Sequence, residues 1–277
     1  SSCQKNDFTN EFKTISINSD YQSSKKTIDI HNVNTFKDLV HFKSNEDFQL
    51  AYETLKEAQE AEIKSFYGQF ANYTDDDYKK MSEKEMNKIS VLLDSKSEEY
   101  NFSEFAIYSK FENQLNFQSL RADLQTKHNE WLSTYEPDWS NNPLSHQIPV
   151  PSLQTFYNVN SEIMIGSNIY KTYDNGITLI MKDASYDQLL DVRNNYSNVS
   201  KYENIEIYGV DNTPHKAGGS GCRMNKRDRS NWKMTSGKKS RIAVGIADGG
   251  IWDVTFAKNA HYRYSNGRWK RSCTYLT

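Results

Sequence analysis

Residues 162–181 read EIMIGSNIYKTYDNGITLIM, and the period of this stretch decides the fold. Glu162–Gly166 and Asn168–Tyr173 are short runs rich in β-branched and aromatic residues, the composition of strands. Asp174-Asn175-Gly176 is a hairpin turn, because Asn and Gly accept positive φ at little cost, and Ile177–Met181 returns as the next strand. Immediately downstream, Ser185 caps a helix running to Arg193, and Tyr202–Val210 reads as a further strand.

Upstream, from Asn34 to Asn158, the period is helical. Ser44-Asn45-Glu46-Asp47 reads as a capping box, an N-cap Ser with an acid three residues on. Phe48, Ala51, Tyr52, Leu55, Ala58, Glu62 and Phe66 then follow at steps of three and four, so an almost wholly apolar stripe can face a core. Ser82 and Glu85 repeat the cap signal ahead of a second apolar face formed by Met86, Ile89, Leu92 and Leu93. A third helix is expected over Asn116–Thr134, ending before Pro137. Four of the five prolines fall between Pro137 and Pro151, which marks a connector, and Ser152–Tyr157 is a short helix beyond it.

The Trp131 helix, Asn141-Asn142-Pro143 and the run from Asn158 through IMIGSNIYKTYDNG resemble uncharacterised Bacteroidetes-type surface lipoproteins, in which a helical segment precedes an Ile-Gly-x-x-Ile-Tyr-Lys hairpin. The resemblance covers residues 115–183 and brings no catalytic residues with it; it bears on compartment and layout. The start of the chain, Ser1-Ser2-Cys3-Gln4-Lys5-Asn6-Asp7, has the form of a bacterial lipobox tail. Cys3 would then be the lipidated N-terminus of an outer-membrane, surface-exposed lipoprotein whose signal peptide has been removed. The plainer alternative is a polar N-terminus with an incidental free thiol. Residues 1–34, rich in Ser, Lys, Asn and Asp, read as a flexible tether. With Cys3 lipidated, Cys222 and Cys273 are left as a pair in an oxidising compartment, where a disulfide persists.

Charge divides the chain. Residues 215–277 hold 14 basic and 3 acidic side chains, a net +11, while residues 1–214 hold 20 basic and 33 acidic, a net −13. Such asymmetry points to an interaction surface. Strands are expected over Arg241–Ile246, Ile251–Ala257, His261–Tyr264 and Arg268–Tyr275, with turns at Asp248-Gly249-Gly250 and Ser265-Asn266-Gly267. Tyr262 and Tyr264 alternate with His261 and Arg263, which predicts one aromatic and one cationic face.

The candidate binding residues are Arg223, Arg227, Arg229, Trp232, Arg241, Trp252, Arg263, Arg268, Trp269 and Lys270. Arg and Lys pair with phosphate or sulfate, and nucleobases or sugar rings lie on aromatic faces. A polyanion or polysaccharide is the expected partner, with no specific nucleic acid, alongside a membrane reached through the anchor. The competing reading makes the aromatics the core of a small sheet and the charges its solvated face.

Other constellations are weaker. Cys222 with His215 or His261 lacks a protease signature, and His215, Cys222, His261 and Cys273 lack the short paired spacing of a zinc site. Asp75-Asp76-Asp77 lacks the alternate acids and the glycine of a calcium loop. Glu162, Asp183 and Asp187 are acids around the hairpin with nothing to fix their separation. No catalytic residue, cofactor or metal is therefore expected. The fold expectation is α+β, with a helical domain at 35–158 and a mainly β domain at 159–277 whose C-terminal part is basic and antiparallel. A secreted hydrolase and a docking or assembly protein remain as alternatives to a non-catalytic binder.

Overall fold

The computed structural model describes residues 11–18, 27–99, 106–134, 141–143 and 146–208, and the strand segments 226–229, 233–235, 238–248, 253–265 and 268–272. The fold is α+β. Its first sheet contains β1 (Lys13–Asn18), β2 (Thr27–Phe36), β3 (Leu39–Phe42), β4 (Glu162–Ile165), β5 (Asn168–Thr172), β6 (Thr178–Met181) and β7 (Ile205–Tyr208), in that spatial order. Every neighbouring pair is antiparallel except β3 and β4. A parallel pair needs a crossover connection, and the chain between Phe42 and Glu162 supplies it with α1 (Asn45–Gly68), α2 (Asp75–Lys80), α3 (Glu83–Glu99), α4 (Ala106–Leu115), α5 (Leu120–Ser133) and α6 (Pro151–Gln154).

The flexible tether expected through Asn34 gives way to strand over much of its length. Ile15 and Ile17 of β1 and Ile28, Ile30 and Val33 of β2 are all buried in the main core. The alternation Thr-Ile-Ser-Ile puts one apolar side chain per two residues on the covered face, enough once β3 supplies a partner edge. A boundary at 158/159 likewise fails to separate two units, because it would cut between the paired strands β3 and β4.

The centre of the sheet is covered on both sides, so β3, β4 and β6 are buried at every position, as expected for strands sandwiched between layers. One face packs against α1, α4, α5 and α6 through Phe42, Phe48, Phe111 and Phe156, with Phe156 meeting the other three edge-on at centroid distances of 5.1–5.8 Å. The other face carries Leu39, Met164, Ile169 and Met181 beneath α7 (Tyr186–Asn194), and Leu179 beneath Val192 and the 3₁₀ segment Tyr196–Lys201.

The caps hold as read. The amide of Asp47 donates to Ser44 Oγ at 3.1 Å, that of Glu85 to Ser82 Oγ at 3.4 Å, and that of Gln188 to Ser185 Oγ at 3.2 Å. The helix expected over Asn116–Thr134 is present as α5 but starts later: α4 ends ahead of it at Leu115, Asn116 takes φ 50°, and Ser119 begins α5 by accepting from the amide of Ala122. On the expected apolar face of α3, Met86 and Leu92 are exposed and Ile89 is half-buried. The turn after β5 is a three-residue loop in which Gly176 alone takes positive φ, 88°, closed by the Tyr173 amide donating to the Ile177 carbonyl at 2.8 Å. Among the described residues no helix is long and apolar enough to cross a membrane.

The second sheet has the order β12 (Arg268–Ser272), β11 (Asp253–Ser265), β10 (Lys238–Asp248) and β8 (Lys226–Arg229), with β9 (Lys233–Thr235) also paired to β10. All its pairs are antiparallel. The two strands expected over Ile251–Ala257 and His261–Tyr264 are one continuous strand, β11, since Lys258-Asn259-Ala260 contains no breaker.

Candidate functional site

Seven of the ten candidate binding residues lie on strands of the second sheet: Arg227 and Arg229 on β8, Arg241 on β10, Arg263 on β11, and Arg268, Trp269 and Lys270 on β12. Arg223, Trp232 and Trp252 lie outside the described residues, as do Cys3, His215, Cys222 and Cys273. The lipidation and the disulfide therefore stay expectations.

Directly opposed residues of an antiparallel pair share a face, so the register sorts the seven. Arg263 is opposite Lys270 and Lys238, and Ser265 is opposite Arg268. Arg229 is opposite Ala243, Arg227 opposite Gly245, Arg241 opposite Ala260, and Trp269 opposite Tyr264. Arg263, Arg268 and Lys270 thus share one face, while Arg227, Arg229, Arg241 and Trp269 share the other. The ten do not form a single patch.

Extending the same alternation over all described strand positions corrects the expectation of one aromatic and one cationic face. Cations stand on both. Phe256, Tyr262, Tyr264 and Trp269 all share the face of Arg227, whereas Asp228, Asp248 and Asp253 all share the face of Arg263. Lys239, Lys258 and Arg271 join the aromatic face. These three were passed over in the sequence, although the i, i+2 spacing of Lys239 with Arg241 was there to be seen.

The first sheet holds the other concentration of charge, and it is an interior one. Glu162 on β4 is fully buried. Its Oε1 accepts from Lys171 Nζ at 3.0 Å and Arg193 Nε at 3.0 Å. Its Oε2 accepts from Asn158 Nδ2 at 3.0 Å and Arg193 Nη2 at 2.5 Å. Lys171 stands directly opposite Glu162 across β4–β5, and Arg193 comes down from α7. Arg193 also reaches Asp38 Oδ2 at 2.9 Å, and Asp38 Oδ1 accepts from the Tyr186 hydroxyl at 2.7 Å. Burial works against the Arg193 cation, but Glu162 and Asp38 together push its pKa above the ordinary guanidinium value. Next to this network, Lys171 Nζ lies 4.8 Å from the centroid of the Tyr173 ring. Burial, aided by Tyr196 and Glu162, pushes the Tyr173 phenol up to about 12.

Four donors fill the roughly four acceptor positions of the Glu162 carboxylate. It has no lone pair left for a substrate proton. Asp183, at φ 47°, accepts from the Ser167 hydroxyl, and Asp187 lies in the first turn of α7. With its acceptor positions filled, Glu162 is not placed to serve as one of a pair of hydrolytic acids. Asp77 is likewise a helix cap: its carboxylate accepts from the amide and hydroxyl of Thr74 at 2.9 and 2.7 Å.

Ser161, His146 and Asp174 come together without having been singled out, yet their geometry is not that of a catalytic triad. Ser161 Oγ lies 3.3 Å and Asp174 Oδ1 3.8 Å from the same nitrogen, Nε2 of His146. Nδ1 accepts from the Ile148 amide at 3.1 Å. A triad needs nucleophile and orienting acid on opposite nitrogens. Among the described residues no group of three or more His, Cys, Asp or Glu is placed to hold a metal ion.

No protein-family model, curated protein or solved structure matches the chain. The reading of the site rests on its own residues.

Proposed function

We propose that the protein is a non-catalytic cell-envelope protein, anchored through lipid on Cys3 and displayed at the outer membrane, that binds a polyanionic or carbohydrate ligand with its C-terminal sheet. One observation carries the reading. The described strands of that sheet hold 12 Lys and Arg against 3 Asp, and such a field attracts anionic ligands and speeds their arrival. A sheet does not need that excess to fold, so it calls for a counter-charge from outside the sheet. The Glu162 geometry supports the non-catalytic side of the reading, because the one buried acid of the hairpin is saturated with donors.

The docking alternative keeps one supporting observation: Cα atoms of α3 and α5 come within 8 Å of β12. In that reading the basic sheet is neutralised by the acidic part of the chain itself. The hydrolase alternative retains only His261, opposite Ser240 and Ser272 in the register, and His215.

The test is binding of the full chain, with Cys3→Ser, to anionic and neutral polysaccharides and to nucleic acid at two salt concentrations, with product analysis. Binding that weakens at high salt and leaves the ligand intact is expected. Turnover abolished by His261→Ala would instead establish the hydrolase, and no binding at either salt would favour internal docking. Fatty-acid labelling that is lost on Cys3→Ser tests the anchor.

A further inference from the structure

We infer that the binding face of the C-terminal sheet is the one that groups Arg227, Arg229, Lys239, Arg241, Lys258 and Arg271 with all four strand aromatics, and that it takes single-stranded nucleic acid without regard to sequence. The inference rests on the polyanion reading above and narrows it to one face and one chemical class.

Both faces carry six cations at described strand positions, so charge alone does not separate them. Their company does. The face of Arg263 includes all three acids, with Asn259, Ser240, Ser265 and Ser272 beside the aliphatic row Ile242, Val244 and Ile246. The face of Arg227 has no acid at any described strand position. Tyr264 and Trp269 are cross-strand partners, with Tyr262 two residues along β11 at about 7 Å, and Lys239 stands opposite Tyr262.

Cations interleaved with a row of aromatics suit a ligand that offers anions and open planar faces together. A single nucleic-acid strand offers both. In a duplex the bases are stacked away and present only their edges in the grooves. An acidic polysaccharide has the anions without planar π faces. Four of the six cations are arginines, whose guanidinium fork matches phosphate. The same face has no Asn, Gln, Asp or Glu at a described strand position, and those side chains supply much of the reading of base edges. Binding therefore follows backbone charge and stacking.

The experiment is fluorescence anisotropy of full-length protein (Cys3→Ser) with labelled oligothymidylate and, separately, a labelled sulfated polysaccharide, each over a salt series. Arg227→Gln/Arg229→Gln/Arg241→Gln is expected to lower oligothymidylate affinity about tenfold or more and to flatten the salt slope by about 2. Lys226→Gln/Lys233→Gln/Lys238→Gln removes the same charge from the opposite face, and a change below about twofold is expected because phosphate contacts, not net charge, set the slope. Trp269→Ala is expected to cost roughly tenfold through lost stacking. Equal losses in the two triple variants would overturn the face assignment. Polysaccharide binding without oligothymidylate binding would overturn the nucleic-acid class and leave the polyanion reading standing, whereas failure of both ligands would overturn that reading itself. Should the arginine variant not fold, photo-cross-linking of the unaltered chain to bromodeoxyuridine oligomers decides the matter. Adducts at Phe256, Tyr262, Tyr264 or Trp269 support the inference, and adducts confined to the opposite face or to the rest of the chain sink it.

Discussion

The two sheets treat charge in opposite ways. In the seven-stranded sheet and the helices packed on it the buried charges are matched: Glu162 of β4 has Lys171 of β5 and Arg193 of α7, and Arg121 of α5 has Glu112 of α4 at 2.5 Å. In the C-terminal sheet cations outnumber acids four to one on the described strands. Burying an ion demands a partner because desolvation is expensive, so the first pattern is that of an interior. The second, an excess of cations over acids within one sheet, is the feature on which the proposed polyanion binding draws. The comparison teaches that a fully enclosed acid with matched partners speaks for an interior, so the proposed function is sought where like charge accumulates along the sequence instead.

The comparison breaks most sharply at Glu162. Glu162→Gln keeps the shape but strands Lys171 beside a neutral amide and leaves Arg193 with Asp38 as its carboxylate partner, and breaking a buried ion pair in this way costs about 3–5 kcal/mol. The urea midpoint should fall with the m-value unchanged. A loss under about 1 kcal/mol would mean that the network is solvated and the contrast between the sheets is false. A somewhat smaller loss is expected at the second pair. Arg121 and Glu112 meet through two parallel bonds, the other being Nε to Oε1 at 2.7 Å, and both are about 5–6% exposed. Arg121→Met alone should cost about 3 kcal/mol, and Glu112→Leu/Arg121→Met should recover only part of it, because an apolar pair can replace the ion pair but leaves the buried Ser119 hydroxyl without Glu112 Oε1 as its acceptor. A double-mutant cycle reads the recovery.

His41 shows the remaining way to bury a titratable group, which is to keep it neutral. Its Nε2 donates to the Gly166 carbonyl at 2.8 Å, and burial lowers its pKa below the ordinary 6.5 against a smaller opposing pull from that hydrogen bond. The unfolded chain therefore takes up this proton before the folded one does. The stability contributed is complete above pH 6.5 and is lost as pH falls through the lower, folded value. The imidazole resonances of His41 should stay those of the neutral ring at pH values where the unfolded chain has titrated, and His41→Gln should flatten the pH dependence of stability below that point.

Much of the core was legible in the sequence because its signals are local. The Asp-Asn-Gly loop, the alternation around Ile163 and Ile169, and the Ser caps at 44, 82 and 185 act within five residues. β1 and β2 were concealed because Ile15, Ile17, Ile28 and Ile30 sit among Ser, Asn and Lys residues that read as tether. Their burial comes from pairing and from the helices above them, which are non-local. Within the Glu162 network, Lys171 follows from hairpin register, but Arg193 and Asp38 arrive from a later helix and an earlier turn that no sequence spacing connects. The division of the C-terminal cations between faces needed the β10–β11 register, which fixes Lys239 against Tyr262.

The smallest expected effect is the sharpest on what the basic sheet is for. If its cations await an external ligand, they repel one another in the free protein, and Arg227→Gln/Arg229→Gln should change stability by no more than about 0.5 kcal/mol, as surface substitutions do. The sign should be stabilising at low salt and should vanish as salt screens the repulsion. If the sheet instead docks on the acidic part of the same chain, the identical substitutions remove attraction. Stability then falls, and falls most at low salt. Thermal unfolding at two salt concentrations separates the cases by sign alone. A destabilisation that grows as salt is withdrawn would erase the contrast between the sheets, since the second would then be as internally matched as the first.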